Sequence, residues 1–227
     1  MKRFFRFSLT LFFLEVGTLS HAVAEAPANV GKAIIAAEAY HDSGDYQRDF
    51  DAIIAQARSV LDKEAPRLKK PAIILDIDET TLSNWPAMRA DRLGDIDGPC
   101  DQLPKGPCGM NAWIQRGEGP VFEATRALYQ DAQAHHLAVF FVTGRSEDER
   151  GVTERNLTRA GLSSWKRLYM RPVGDHRRAE DYKTPIRSAI EKQGYTILLN
   201  IGDQESDLMG GHSLHAYQVP NPFYYIP

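Results

Sequence analysis

Two carboxylates stand two residues apart where the apolar run Ile73-Ile74-Leu75 gives way to Asp76-Ile77-Asp78-Glu79-Thr80-Thr81. Side chains at i and i+2 of a strand project to the same side, so this spacing predicts Asp76 and Asp78 in one small space. Like charges held that close repel, and a fold tolerates them beside a cation or with one proton shared. The chemistry these types suit is nucleophilic attack by one acid and proton transfer by the other, beside a magnesium ion. The plain alternative is a strand that runs into an acidic, solvated turn.

Further residues of that kind follow in order. Leu137-Ala138-Val139-Phe140-Phe141-Val142 ends in Thr143-Gly144-Arg145. Lys183 stands just ahead of Thr184-Pro185, which predicts a helix start with Thr184 as N-cap and Pro185 at the first helical position. Ile197-Leu198-Leu199-Asn200-Ile201 ends in Gly202-Asp203-Gln204-Glu205-Ser206-Asp207. Ligands of open α/β sheets collect at the carboxyl ends of strands, and three strands ending in polar turns fit that rule. With these residues the chain resembles the haloacid dehalogenase (HAD) superfamily, whose motifs are Asp-x-Asp-x-Thr, a strand-end Thr, a Lys and Gly-Asp-x-x-x-Asp. Phe141-Val142-Thr143-Gly144-Arg145, Thr153-Glu154-Arg155-Asn156-Leu157, Tyr182-Lys183, Gly202 to Leu208 and Val219-Pro220-Asn221-Pro222-Phe223-Tyr224-Tyr225-Ile226 narrow the likeness. They are similar to the secreted acid phosphatase branch (class B, subfamily IIIB), which holds plant acid phosphatases, vegetative storage proteins and bacterial enzymes. The resemblance runs from about Pro71 to the C-terminus. Glu205 departs from it, since plant members often carry an aromatic residue there.

The resemblance implies a phosphomonoesterase working through an aspartyl-phosphate. Asp76 would attack phosphorus; Asp78, with its pKa held up, would protonate the leaving oxygen and later take a proton from water. Mg²⁺ would be held by the Asp76 and Asp203 carboxylates and the Asp78 backbone carbonyl, with Asp207 behind them steering water or Lys183. The Thr143 hydroxyl and the Gly144 N–H would hold phosphate oxygens, and Lys183 would offset their charge. Glu79 and Glu205 read as solvated or entrance residues, Arg145 as structural or electrostatic, and His212 as remote from substrate. Trp85 and Trp113 read first as cap core, and second as a platform for an aromatic leaving group or nucleobase. The expected substrates are small organic phosphates, nucleoside monophosphates among them. The competing reading is a non-catalytic storage or binding protein on the same fold, which the retained Asp76 disfavours. A dehalogenase is the weaker rival, because carbon–halogen cleavage needs no acid such as Asp78.

These residues need elements to position them. The alternating pattern predicts a strand at 71–76, helix at 120–134, strand at 137–142, helix at 147–160, strand at 167–170, helix at 185–193 and strand at 197–201. Ser146 with Glu149 makes a capping box, and Gly161 and Gly194 close helices. Such alternation predicts an α/β fold, a HAD-like Rossmannoid parallel sheet flanked by helices. Residues 82–118, rich in Gly, Pro and Asp, break the rhythm and read as an inserted cap. Ahead of the sheet, Tyr46, Phe50, Ile53, Ile54, Ala57, Val60 and Leu61 recur at helical spacing. They predict a helical preface over 29–62, divided at Ser43-Gly44.

Composition bounds the partners. Lys2, Arg3 and Arg6 precede a short apolar stretch, and Ala22-Val23-Ala24 offers a cleavage pattern. Residues 1–24 therefore read as a secretory signal and 25–227 as a single phosphatase domain, periplasmic or secreted. The apolar stretch is too short for a membrane span, and no Cys near it offers a lipid attachment point, so no membrane anchor is expected in the mature chain. The net charge is −3 over all 227 residues, with no basic footprint for a nucleic acid polymer. Cys100 and Cys108 are the two cysteines. In an exported chain a lone pair that close predicts a disulfide, worth on the order of 2–3 kcal/mol in the chain-entropy account.

Overall fold

The computed structural model describes residues 27–227; the expected signal segment 1–24 lies outside them. Five parallel strands form one sheet in the order β3-β2-β1-β4-β5. They are β1 (Pro71–Leu75), β2 (Ala138–Ser146), β3 (Arg167–Arg171), β4 (Thr196–Gly202) and β5 (His215–Gln218). The chain adds β2 and β3 on one side of β1, then β4 and β5 on the other. The reversal of direction therefore falls between β1 and β4, and ligand crevices of such sheets open there.

Alternation along the strands divides the interior into two layers. Ile73 and Leu75 of β1 with Val139 and Phe141 of β2 face the larger core, whereas Ala72, Ile74, Phe140 and Val142 face the smaller. The larger core is covered by the preface helices α1 (Val30–Asp42) and α2 (Asp45–Glu64), by α5 (Glu123–Ala134) and by α6 (Arg150–Arg159). Gly44 adopts φ 83° between α1 and α2, a left-handed conformation that glycine takes at little cost. Tyr46, Phe50, Ile54, Ala57 and Leu61 of α2 are buried and Ile53 and Val60 pack partly against the same core, as their spacing predicts. The smaller core is covered by α7 (Ala179–Lys192), through Tyr182 and Ile190.

One expectation needs correction, and two segments hold more regular structure than expected. The helix bearing Lys183 begins at Ala179 with Arg178 at its N-cap, so Pro185 lies inside it and Thr184 caps nothing. There the proline ring removes the N–H that would reach the Asp181 carbonyl, and the buried side chains Tyr182, Lys183, Arg187 and Ile190 hold the helix through that point. The segment 82–118 holds two short helices, α3 (Trp85–Ala90) and α4 (Met110–Arg116). Strand β5 was not anticipated: His215-Ala216-Tyr217-Gln218 is a short, half-exposed edge, with neither an apolar run nor clean alternation. The Ser146–Glu149 capping box is present, and Gly161 and Gly194 close their helices at φ 83° and 84°. Cys100 and Cys108 are joined in a disulfide.

Candidate active site

Asp76 stands one residue beyond β1, facing the end of β4. Its N–H donates to the Ile201 carbonyl (2.9 Å), and its own carbonyl accepts from Thr81 Oγ1 (2.6 Å). From α7, Lys183 Nζ donates to Asp76 Oδ1 at 2.5 Å and to Asp207 Oδ1 at 2.6 Å. Asp203, at the end of β4, accepts on Oδ2 from Gln204 Nε2 and Asn221 Nδ2, both at 2.6 Å. Asp207 Oδ2 accepts the Gln204 N–H at 3.0 Å, closing the short α8 (Glu205–Leu208) on itself. Asp76, Asp203 and Asp207 can bring one oxygen each within 4.8 Å of the others.

Three buried carboxylates against one ammonium leave excess negative charge. Burial drives the Asp76 carboxyl well above the ordinary range, with Lys183 opposing and Asp207 and Asp203 adding to the rise. Asp203 is pushed up to about 7, by burial first and then by Asp207, against the pull of Asn221 and Gln204. Burial alone would lower Lys183, but Asp207 and Asp76 hold it above its usual value. An all-oxygen donor set short of positive charge is the environment a hard divalent cation selects, so the residues fit such an ion.

Asp78 lies past the end of β1, and its carboxylate is held by partners other than Lys183. It faces Arg145, whose Nη2 and Nε donate to Asp78 Oδ1 at 2.7 and 3.1 Å and whose Nε also reaches Oδ2 at 3.1 Å. Asn84 Nδ2 donates to Oδ1 at 2.8 Å. Burial alone would raise Asp78, but Arg145 and Asn84 outweigh it and hold the carboxyl below its ordinary value. The expected elevation is thereby corrected: the cause is an arginine fork that the two-residue spacing of the acids could not reveal. Arg145 itself comes from β2, just beyond Gly144, and its Nη1 also reaches Thr153 Oγ1 at 3.2 Å.

These groups open into one cavity of ≈ 680 Å³. Asp76, Asp78, Gly144, Arg145, Lys183, Asp203 and Asp207 lie together in its lining, which also includes the apolar side chains of Met88, Met110, Ile114 and Phe223 and the charged ones of Asp95, Glu149 and Arg171. Thr143 does not line it. Its side chain is fully buried and its Oγ1 accepts the Arg145 N–H at 3.1 Å. A Cβ at Gly144 would meet no protein atom within 4 Å, so that backbone is open to a ligand. Glu205 is exposed, and His212 pairs with Glu191 of α7 (2.5 Å). Trp113 is buried in the cap with Ala87 and the disulfide, and Trp85 stacks on His41, ring centroids 3.6 Å apart.

Several buried residues around the cavity escaped the sequence-based expectations. Glu79 is fully buried rather than solvated, accepts from Asn84 and from Tyr224 Oη (2.9 Å), and is pushed up to about 7 by burial and by Asp78. Arg187, one turn beyond Lys183 on α7, donates to the carbonyls of Asp207 (2.7 Å), Met209 and Gly211 (2.9 Å). It thereby fixes the turn that presents Asp207. Asn221 and Tyr224 reach in from the C-terminal segment; only its motif character, Val219 to Ile226, could have flagged them.

The profile of the HAD superfamily, subfamily IIIB (acid phosphatase), matches residues 14–227. The chain belongs to this family. Acid phosphatase 1 of Solanum lycopersicum is 37% identical over 160 residues, 67% of this chain and 58% of the relative. The stem 28 kDa glycoprotein of Glycine max is 34% identical over 69% of this chain and 61% of its own length. Vegetative storage protein 1 of Arabidopsis thaliana is 30% identical over 68% of this chain and 55% of its own. The chain thus spans under two thirds of the length of these relatives. Among solved structures, the class C acid phosphatase of Bacillus anthracis shares the subfamily IIIB chain's fold, with a TM-score of 0.68 at 20% identity over 86% of this chain and 85% of that one.

Proposed function

We propose that the protein is a magnesium-dependent acid phosphatase. It would hydrolyse small organic phosphates, nucleoside monophosphates among them, through an aspartyl-phosphate on Asp76. The observation that carries this reading is the pairing within one cavity: Asp76 is buried against Lys183, and Asp78 is held across from it by Arg145. Asp76 attacks phosphorus in line, the bond to the leaving oxygen breaks, and Asp78 delivers the proton that oxygen needs. Water then attacks the phosphorus, gives a proton to Asp78, and releases inorganic phosphate and the free Asp76 carboxylate. The Gly144 N–H and Lys183 stabilise charge on the phosphoryl oxygens. Asp78 must be protonated for the first step, which Arg145 opposes, and Asp76 must be ionised to attack, which its burial opposes, so falling pH helps the acid and works against the nucleophile.

Asp76 and Asp203, with the Asp78 carbonyl, would hold the ion, and Asp207 would keep Lys183 beside them. Bound there, magnesium would neutralise the carboxylate cluster and draw electron density from the phosphoryl oxygens. Export to the periplasm or beyond is supported by Lys2, Arg3 and Arg6 ahead of an apolar stretch and by relatives named as glycoproteins. The storage names of other relatives suggest a non-catalytic role, which the retention of Asp76, Asp78, Lys183 and Asp203 in one cavity disfavours.

Phosphate release from a panel of monoesters at acidic pH, with EDTA and after Mg²⁺ is restored, tests the reading. Activity should vanish on chelation and return with Mg²⁺. No release from any ester would overturn the enzyme assignment, and full activity in metal-free protein would overturn its metal dependence.

A further inference from the structure

Asn84 occupies the N-cap position of α3 yet makes no capping bond with its side chain. Asparagine is among the best N-cap residues, worth roughly 1 kcal/mol there. The Ser83 hydroxyl takes the Trp85 N–H instead (3.1 Å). The Asn84 amide is spent inward, where 1% of the residue is exposed. Its Nδ2 donates to Asp78 Oδ1 (2.8 Å) and Glu79 Oε2 (3.0 Å), and its Oδ1 accepts from Trp113 Nε1 (2.9 Å). Its backbone N–H donates to Glu79 Oε1 (2.5 Å). An indole N–H can only donate, whereas ionised carboxylates only accept. A flipped amide would set donor against donor and acceptor against acceptor, so Trp113 fixes which end of Asn84 meets Asp78.

The backbone pays a conformational cost for this arrangement. Glu79 is not glycine, yet it sits at φ 51°, in a left-handed region that costs an ordinary residue roughly 1–2 kcal/mol. That turn aims its carboxyl inward, between Asn84 and Tyr224. We propose that Asn84 is a positioning residue for Asp78, a second donor to the Oδ1 that Arg145 also grips, holding the carboxylate at the angle from which it meets the leaving-group oxygen, with Trp113 of the cap setting the orientation of Asn84. Arg145 alone leaves the carboxylate free to pivot about one fork; a second donor from the cap side removes that freedom. Trp113 packs in one cluster with Ala87 and the Cys100–Cys108 bridge, so the disulfide-braced cap reaches the acid through a single amide.

The inference rests on the reading of Asp78 as the acid/base, and a leaving-group series separates the two. A proton donor matters for an alkyl phosphate, whose leaving alkoxide is strongly basic, and little for 2,4-dinitrophenyl phosphate, whose leaving group departs unaided. Values of kcat/KM report the step in which that bond breaks. Asn84→Ala and Trp113→Phe, the latter keeping the ring and losing the N–H, are compared with Asp78→Asn on both esters. Asn84→Ala should lose at least about tenfold more on the alkyl ester than on the dinitrophenyl ester, the order of one hydrogen bond to a charged group. Trp113→Phe should shift the ratio the same way by a smaller factor. Equal losses on both esters in both variants would overturn the inference, and if Asn84→Ala does not fold, Trp113→Phe alone decides. Undiminished alkyl ester hydrolysis by Asp78→Asn would instead overturn the acid/base assignment itself.

Discussion

Lys183 is the pivot of the site because it touches both Asp76, the proposed nucleophile, and Asp207, which the proposed reaction leaves unchanged. Its ammonium lies 2.5 Å from Asp76 and 2.6 Å from Asp207, and all three side chains are buried, so each charge depends on the others. Breaking such a pair from the cationic side leaves carboxylates buried without compensation, at a cost of roughly 3–5 kcal/mol. Lys183→Met should therefore lose both activity and stability. Asp76→Asn is the opposite case. It removes one of three crowded carboxylates while Asp207 still pairs with Lys183, and an amide cannot carry the phosphoryl group. Hydrolysis should vanish while the thermal midpoint stays level or rises, as happens where function holds strained charge in place. Phosphate release and scanning calorimetry on the two variants check this; substantial turnover by folded Asp76→Asn would remove the nucleophile from the mechanism.

At the scale of elements, what the sequence made legible was whatever local pattern controls. The apolar runs 73–75, 137–142 and 197–201 became β1, β2 and β4, and the spacing from Tyr46 to Leu61 became the buried face of α2. The carboxylates Asp76 and Asp203 fell where strand ends should put them. Contacts between distant segments were not legible: Asp78 meets Arg145 67 residues away, and Glu79 meets Tyr224 145 residues away. No local pattern encodes such pairs, and Glu79 in an acidic run looks solvated until the fold closes over it. The cap shows the same limit. Its Gly, Pro and Asp content hides two short helices whose packing centres on Trp113, Ala87 and the disulfide. Around that bridge Asp91 accepts the Cys108 N–H (3.0 Å), and Arg116 donates to the Cys100 carbonyl (3.3 Å). Because the bridge orders the cap more than the sheet, Cys100→Ser/Cys108→Ser should raise KM severalfold, with a loss of kcat on alkyl esters no larger than that of Trp113→Phe. The stability loss should stay near the roughly 2–3 kcal/mol of a short closed loop. An unchanged KM would show that the bridge does not order the cap for binding.

Taken as a whole, the molecule concentrates unfavourable charge at the carboxyl end of its sheet and relies on protons or a cation to offset it. Glu79 and Asp203 are each pushed up to about 7, from ordinary values of 4.5 and 3.8, both chiefly by burial. A carboxyl whose folded pKa is raised keeps its proton in the native state at pH values where the unfolded chain has released it. Its stabilising share is fully present below about pH 4 and is lost as pH rises through about 7. In EDTA the melting temperature should therefore fall between about pH 4.5 and 7.5, and 1 kcal/mol corresponds to roughly 2–4 °C in a chain of this size. Added Mg²⁺ competes for the same carboxylates, so its stabilisation should be small at pH 4.5 and largest at pH 7.5. Asp203→Asn should flatten both responses, because it removes one titrating ligand and weakens the ion's hold together. Melting curves at fixed ionic strength over that range, with EDTA and with Mg²⁺, decide the matter. A midpoint independent of pH in EDTA, or a Mg²⁺ shift equal at both ends of the range, would mean that the charge at the sheet end is balanced within the protein.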